Sequence, residues 1–169
     1  MPNYTVNNRA VTSGWNVVAG PPGALGARPE AVLALNNSQA VAMGQAANIA
    51  LGPATTGLHT MHLANCSAFC ILYRPNAMAP WSRAALMHML GGPDPNAVNW
   101  AAMTAGMPGG GIFYGVLANS QATVLSPGFV VAVLANTAIP AGNMWVYDAQ
   151  SPGGVINFGI DWNGFAGEC

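Results

Sequence analysis

The second half of this chain consists of short apolar runs separated by glycine, proline and asparagine, and this pattern most constrains its fold. Each run is too short for a typical helix and is typical of a strand. Short intervals between strands favour antiparallel hairpins over parallel crossovers. The runs are Ile112–Leu117, Thr123–Leu125, Phe129–Leu134, Met144–Tyr147 and Val155–Ile160.

The first half is richer in alanine and predicts helices. A short strand is expected around Trp15–Ala19, followed by helices over Pro29–Leu35 and Ser38–Ala50. Asp94-Pro95 is typical of a helix start, with Asp as the N-cap and Pro at the first position, and predicts a helix of about ten residues through Thr104. The expected fold is therefore α+β, with a mainly antiparallel β-sandwich core flanked by helices.

The middle of the chain predicts a strand that ends in a turn. Phe69–Tyr73 is strand-like, Arg74-Pro75-Asn76 is turn-like, and Ala84–Leu90 fits either a strand or a helix. If the first strand begins near Leu63, then one of its faces carries Cys66, Ala68, Cys70 and Leu72. A return of the chain alongside it would bring His88 close to Cys66.

The size and charge of the chain exclude several classes of protein. The 169 residues suit a single domain, 1–169, with roughly the first 25 expected to be loosely ordered. Hydrophobic residues make up 52% of the chain and charged residues 5%, yet no apolar run reaches the roughly 18 residues of a membrane span. A net charge of −1 without a basic cluster argues against nucleic acid as a partner. Met1–Arg9 lacks the pattern of a secretory signal peptide.

Few side chains are available for chemistry. Three cysteines cannot all pair within one chain, so we expect free thiols. A cysteine beside an imidazole is the most readily activated nucleophile, and Cys66 with His88 is the obvious pair. The alternative, that both are buried structural residues, is equally open on residue type alone.

A resemblance favours the catalytic interpretation. Thr60 precedes Cys66 by six positions, and a strand, a proline-containing turn and His88-Met-Leu follow. This pattern resembles the chemoreceptor glutamine deamidases and the cytotoxic necrotising factor type toxins. It covers about 33 residues and differs from both groups at Ala64-Asn65, where the families carry glycine and serine.

The resemblance implies a cysteine-dependent protein-glutamine deamidase. Cys66 would be the nucleophile, His88 the base and acid, and Thr60 the group that orients His88, while Asn65 and Ser67 would lie at the oxyanion and substrate site. No cofactor or metal is expected. The partner would be a glutamine-bearing protein such as a small GTPase or translation factor, together with an immunity protein or secretion chaperone. The resemblance fits a toxin or effector best, one that is secreted by a dedicated system and acts in the target cytoplasm. The chain has no lysine and so no internal site for ubiquitin attachment, which is compatible with this.

Three other interpretations stay open. Asn65-Cys66-Ser67-Ala68-Phe69 is similar to the signature of the NlpC/P60 peptidoglycan amidases, in which the cysteine begins a helix. On a helix, one face could offer zinc the four ligands His59, His62, Cys66 and Cys70. A β-rich binding module without catalysis would need no site at all.

Overall fold

Two open β-sheets carry most of the regular structure. The computed structural model describes residues 16–17, 38–52, 57–119, 127–148, 156–161 and 166–168. Its strands are β1 (Asn16–Val17), β2 (Gln39–Ala40), β3 (Ala46–Ala50), β4 (Gly57–Leu63), β5 (Ser67–Arg74), β6 (Arg83–Met89), β7 (Ile112–Asn119), β8 (Met144–Asp148), β9 (Ile156–Asp161) and β10 (Ala166–Glu168), and its α-helices are α1 (Trp100–Thr104) and α2 (Pro127–Asn136).

Both sheets mix parallel and antiparallel pairs. The larger sheet has the strand order β1-β8-β7-β5-β6-β3, and the smaller has the order β10-β9-β4-β2. The central strand β5 is antiparallel to both β6 and β7, whereas β8 lies parallel to β7 and β2 lies parallel to β4. With helices joined to these sheets, the α+β class predicted from the sequence is confirmed.

The pleat of β5 divides the core into two clusters. Ala68, Cys70 and Leu72 belong to a cluster that also holds residues of the smaller sheet, including Leu58 and Phe158. On the opposite face, Phe69 meets Trp100 of α1 and Phe129 of α2 edge-on, with ring centroids 6.1 and 5.3 Å apart. One face of β5 therefore shares a core cluster with residues of the smaller sheet, and the other face packs against the two helices.

Several predicted elements have the expected type. The predicted strands over Ile112–Leu117, Met144–Tyr147 and Val155–Ile160 correspond to β7, β8 and β9, and Asn16–Val17 falls within the strand predicted around Trp15–Ala19. The β5–β6 hairpin forms as expected, which settles Ala84–Leu90 as a strand. The predicted elements Pro29–Leu35 and Thr123–Leu125 lie outside the described residues, as does almost all of the first 25.

The strand predicted over Phe129–Leu134 is wrong, because this run lies in helix α2. Phe129 and Val133, one helical turn apart, are fully buried, whereas Val131 and Leu134 are exposed. A short apolar run does not distinguish a buried strand from a buried helical face. The helix joins β7 to β8, and since these strands are parallel, the expected hairpin is replaced by a crossover.

The helix predicted over Ser38–Ala50 is also wrong. The segment forms β2, a turn at Met43–Gly44 and β3. Gly44 has a φ of 74°, a conformation that glycine adopts without strain and that ends any helix. Pairing of β3 with β6 then overrides the helical preference of its alanines.

The helix predicted from Asp94 to Thr104 is correct at its start but is interrupted. Asp94 caps a 3-10 turn over Pro95–Ala97, where its carboxylate accepts a hydrogen bond from the N–H of Asn96. Asn99 then caps a separate helix, α1, by accepting from the N–H of Ala102 at 3.1 Å. A second capping residue so soon after the first divides the element, since an N-cap is itself non-helical.

Candidate active site

The candidate site lies between the two sheets, where the chain crosses from β4 to β5. Thr60 is on β4 of the smaller sheet and His88 on β6 of the larger sheet, and both are buried. Residues 64–66 make the crossing, so Cys66 directly precedes β5. The site therefore draws one residue from each sheet and one from their connection.

Strand pairing brings Cys66 and His88 to the same face of the larger sheet. Ala68 is the β5 partner of His88, and Cys66 lies two residues before Ala68 in the same core cluster. If this register is extended by two residues, Cys66 becomes the diagonal neighbour of His88. Diagonal residues on neighbouring antiparallel strands are roughly 7 Å apart. His88 Nε2 has no hydrogen-bond partner, so the Cys66 sulfur is not hydrogen-bonded to it in this structure.

A chain of two hydrogen bonds fixes the imidazole of His88. Thr60 Oγ1 lies 2.7 Å from His88 Nδ1 and donates to the carbonyl oxygen of Val41 at 2.8 Å. A hydroxyl has one proton, which this donation uses, so Oγ1 must accept from Nδ1–H of the ring. The contact that the resemblance implied between Thr60 and His88 is therefore present.

This hydrogen-bond chain leaves the other ring nitrogen of His88 as a base. With the proton on Nδ1, Nε2 carries a lone pair, and it is buried with no hydrogen-bond partner. Burial also lowers the pKa of His88, which keeps the ring neutral near pH 7. An unpartnered buried acceptor is uncommon in folded proteins and is a frequent feature of reactive sites.

The two central cysteines differ in their surroundings. Cys66 and Cys70 are both free thiols. Cys70 is completely buried, and desolvation raises the pKa of its thiol, so it stays protonated and inert. Cys66 retains 9% exposure at the end of the strand, beside the exposed residues Ala64 and Asn65. Of the pair, Cys66 is the thiol that a substrate can reach.

The two predicted oxyanion or substrate residues occupy different positions. Asn65 is exposed in the crossing, next to Cys66. Ser67 is fully buried, and the pleat of β5 places its side chain on the face opposite Cys66, with Phe69. Any part that Ser67 takes in the site therefore falls to its backbone.

The segment Val41–Gln45, here called the strap, was not predicted as part of the site. The N–H of Gly44 donates to the carbonyl of His88, and the N–H of His88 donates to the carbonyl of Gln45, both at 3.0 Å. With the carbonyl of Val41 on Thr60, the strap holds the pair through its backbone. Such contacts carry no side-chain signal in the sequence.

A strained residue shapes β4 beside Thr60. His62 has a φ of 60°, and the pairing of β4 with β9 shifts register between Thr60 and Leu63. The side-chain oxygen of Asn157 accepts from the N–H of His62 at 3.0 Å and holds this bulge in place. A bulge of this kind redirects the side chains that follow it.

The structure argues against the other two predicted sites. A helix after Cys66, as in the NlpC/P60 amidases, is replaced by strand β5. The zinc interpretation needed His59, His62, Cys66 and Cys70 on one helix, but they lie on strands β4 and β5 and their connection. Within the ranges described, no three His, Cys, Asp or Glu side chains form a group that could hold a metal ion.

Comparison with known proteins identified no relative: no protein-family model matches the sequence, and neither does any curated protein. Among the described helices, none is long and apolar enough to cross a membrane.

Proposed function

We propose that this protein is a protein-glutamine deamidase that uses Cys66 as its nucleophile and His88 as its base and acid. The observation that carries the proposal is the hydrogen-bond chain from the carbonyl of Val41 through Thr60 to His88. It fixes the tautomer of His88 and leaves Nε2 unpartnered, and the strand register puts His88 on the face of the larger sheet that Cys66 shares. In covalent catalysis by a thiol, a third group commonly orients the base, and Thr60 would have that role here.

The reaction begins with transfer of the thiol proton of Cys66 to His88 Nε2. The thiolate attacks the carboxamide carbon of a glutamine side chain, and the resulting tetrahedral oxyanion collapses to a thioester. His88 returns the proton to the departing nitrogen, which leaves as ammonia. A water molecule activated by His88 then opens the thioester, giving glutamate and the free thiol.

The ring of His88 becomes an imidazolium twice in this cycle, once in each half-reaction, and the hydrogen bond to Thr60 tolerates that charge. In the imidazolium, Nδ1–H still donates to Thr60 Oγ1, so proton transfer at Nε2 disturbs no hydrogen bond at Nδ1. Because burial lowers the pKa of His88, its imidazolium is a stronger acid and protonates the leaving nitrogen more readily.

The exposed crossing gives the substrate its route to the thiol. Ala64 and Asn65 are exposed, whereas the residues that follow Cys66 along β5 are buried. The carboxamide of glutamine sits at the end of a flexible methylene chain, so a folded protein can insert it at this edge. The exposed Asn65 side chain would contact the incoming amide, and backbone N–H groups beside Cys66 would stabilise the oxyanion.

The wider interpretation is also part of the proposal. The two sheets, which share a core cluster, would pack as a β-sandwich flanked by α1 and α2. We propose a toxin or effector, secreted by a dedicated system, that modifies a small GTPase or a translation factor in the target cytoplasm and is accompanied by an immunity protein or a secretion chaperone. No nucleic acid, membrane or cofactor takes part.

Expression in two compartments tests the function. Wild-type protein and Cys66→Ser are produced in a eukaryotic cytosol and in a bacterial periplasm, with Cys70→Ser as the matched thiol control. We expect toxicity in the cytosol, with a glutamine-to-glutamate change in a host peptide that depends on Cys66 and not on Cys70. Periplasmic lysis without such a change would replace the proposal with peptidoglycan cleavage.

A further inference from the structure

A second group of donor atoms lies beside β4, around a pocket of about 300 Å³. The pocket is bounded by β4 and by the segment that follows β2. Of its lining residues, four carry a side chain that can coordinate a metal: Met43, Met61, His59 and His62. The remaining ones are small or apolar, apart from Thr60, and none is acidic.

A hydrogen bond to Ser38 orients His59 as a ligand. Its ring is buried, and its Nδ1 is hydrogen-bonded to the hydroxyl of Ser38. When Nδ1–H donates to Ser38, the lone pair is on Nε2. Metal-binding histidines are commonly fixed in this way through their second nitrogen.

The bulge in β4 explains why adjacent residues both line the pocket. In a regular strand, Met61 would follow His59 on one face and His62 would point away. His62 instead has a φ of 60°, and its side chain lines the same pocket as Met61. A strained residue held by Asn157 thus adds a second imidazole beside the first.

The two methionines are unusual for their exposure. Met43 is 55% exposed and Met61 is 41% exposed, and both line the pocket. Each thioether sits on a flexible unbranched chain and can move toward a ligand without disturbing the core. The pocket has room for this movement.

We propose that this pocket binds a soft monovalent cation, Cu(I), through the imidazoles of His59 and His62 and the thioethers of Met43 and Met61. Thioether sulfur prefers Cu(I), and a set of four neutral ligands suits a single positive charge better than the double charge of Zn(II). The pocket shares Thr60 and part of the strap, Val41–Met43, with the proposed deamidase, but none of its four metal ligands is a catalytic residue, and the proposal does not depend on that function.

An anaerobic titration tests the site in the full-length chain. Thiolates would compete for Cu(I), so Cys66 and Cys169 are changed to serine, and fully buried Cys70 is kept. The metals are Cu(I), presented with a competing chelator, and Ag(I), its redox-inert analogue. Zn(II) serves as the comparison, and methyl-labelled methionine is observed by NMR.

We expect one equivalent of Ag(I) or Cu(I) to shift the methyl signals of Met43 and Met61 and no others. Met43→Leu and Met61→Leu, which keep the size of an exposed side chain, should each weaken binding by at least about tenfold. Met78→Leu is the control, since Met78 is 94% exposed and lies outside the pocket. His62→Asn, which tolerates positive φ, should weaken binding similarly.

The proposal is overturned if neither metal binds at stoichiometric concentration, or if the shifts spread over the methionines and include Met78. Zn(II) binding as tight as that of Cu(I) would also overturn it, as would unchanged affinity in the two methionine variants.

Discussion

Replacing Thr60 with valine should damage both the stability and the reactivity of the site. Valine keeps the shape of threonine but has no hydroxyl, so the hydrogen bonds to His88 Nδ1 at 2.7 Å and to Val41 at 2.8 Å are both lost. Each leaves a buried neutral group unpaired, which costs about 1–3 kcal/mol. Allowing for the added apolar methyl, we expect a loss of about 2–4 kcal/mol in the free energy of unfolding.

The same substitution should release the ring tautomer. Without an acceptor at Nδ1, the proton of His88 is free to occupy Nε2, the position that must be empty for His88 to act as a base. When the preference for the Nδ1–H form is lost, that form falls from nearly all of the neutral ring to about half, so the change of tautomer alone should lower the rate of the first step about twofold. Thr60→Ser is the matched control, because it restores the hydroxyl and loses only a methyl.

Two measurements check this prediction without a known substrate. Denaturant unfolding gives the stability, and nitrogen-15 NMR of the imidazoles gives the tautomer, since the chain has only three histidines. Thr60→Val should move the His88 ring signals toward the Nε2–H form, while Thr60→Ser should leave them in place. If the valine variant kept the wild-type tautomer and unfolded within about 0.5 kcal/mol of wild type, the argument from Thr60 would be refuted.

Three further predictions concern stability. Burial lowers the pKa values of His59 and His88, so below about pH 6.5 the unfolded chain binds more protons than the folded chain. The free energy of unfolding should therefore fall as the pH drops from 7 to 5. A flat pH profile would contradict the burial of both rings. The side-chain amide nitrogen of Asn48 donates to three carbonyls at the end of α1, and its oxygen accepts from Arg83. Asn48→Asp should therefore lower the free energy of unfolding, measured with denaturant, by about 2–4 kcal/mol. A change under about 0.5 kcal/mol would show that these bonds do not hold the helix. At the positive φ of His62, glycine should raise the thermal midpoint and valine should lower it, and the reverse order would show that this backbone is not strained.

Local patterns predicted the parts of the fold that depend on neighbouring residues. The β5–β6 hairpin was predictable because Arg74-Pro75-Asn76 marks a turn between two apolar runs, and its register then brought His88 to the face of Cys66. Thr60 was implied only by the family resemblance, since its contact with His88 joins strands of two different sheets.

The remaining parts depend on tertiary contacts that leave no local pattern. Alanines that favour a helix form β3 because β6 offers them a partner strand. Phe129–Leu134 lies in a helix that buries Phe129 and Val133, one turn apart, and leaves Val131 and Leu134 exposed. The strap contributes backbone carbonyls and N–H groups, which any sequence can supply. The cluster of His59, His62, Met43 and Met61 depends on the bulge at His62, for which the sequence has no glycine signal.

The most direct test of the proposed deamidase is whether an oxygen atom from water enters the side chain of the converted glutamine. Purified protein is incubated with a cytosolic extract in water labelled with heavy oxygen, and peptides are analysed by mass spectrometry. We predict glutamine-to-glutamate conversion with one heavy oxygen per converted residue and release of ammonia, abolished by Cys66→Ser and by His88→Ala and retained by Cys70→Ser. Conversion that persists in Cys66→Ser, or no conversion with the wild-type protein in extracts of cells that it poisons, would contradict the account.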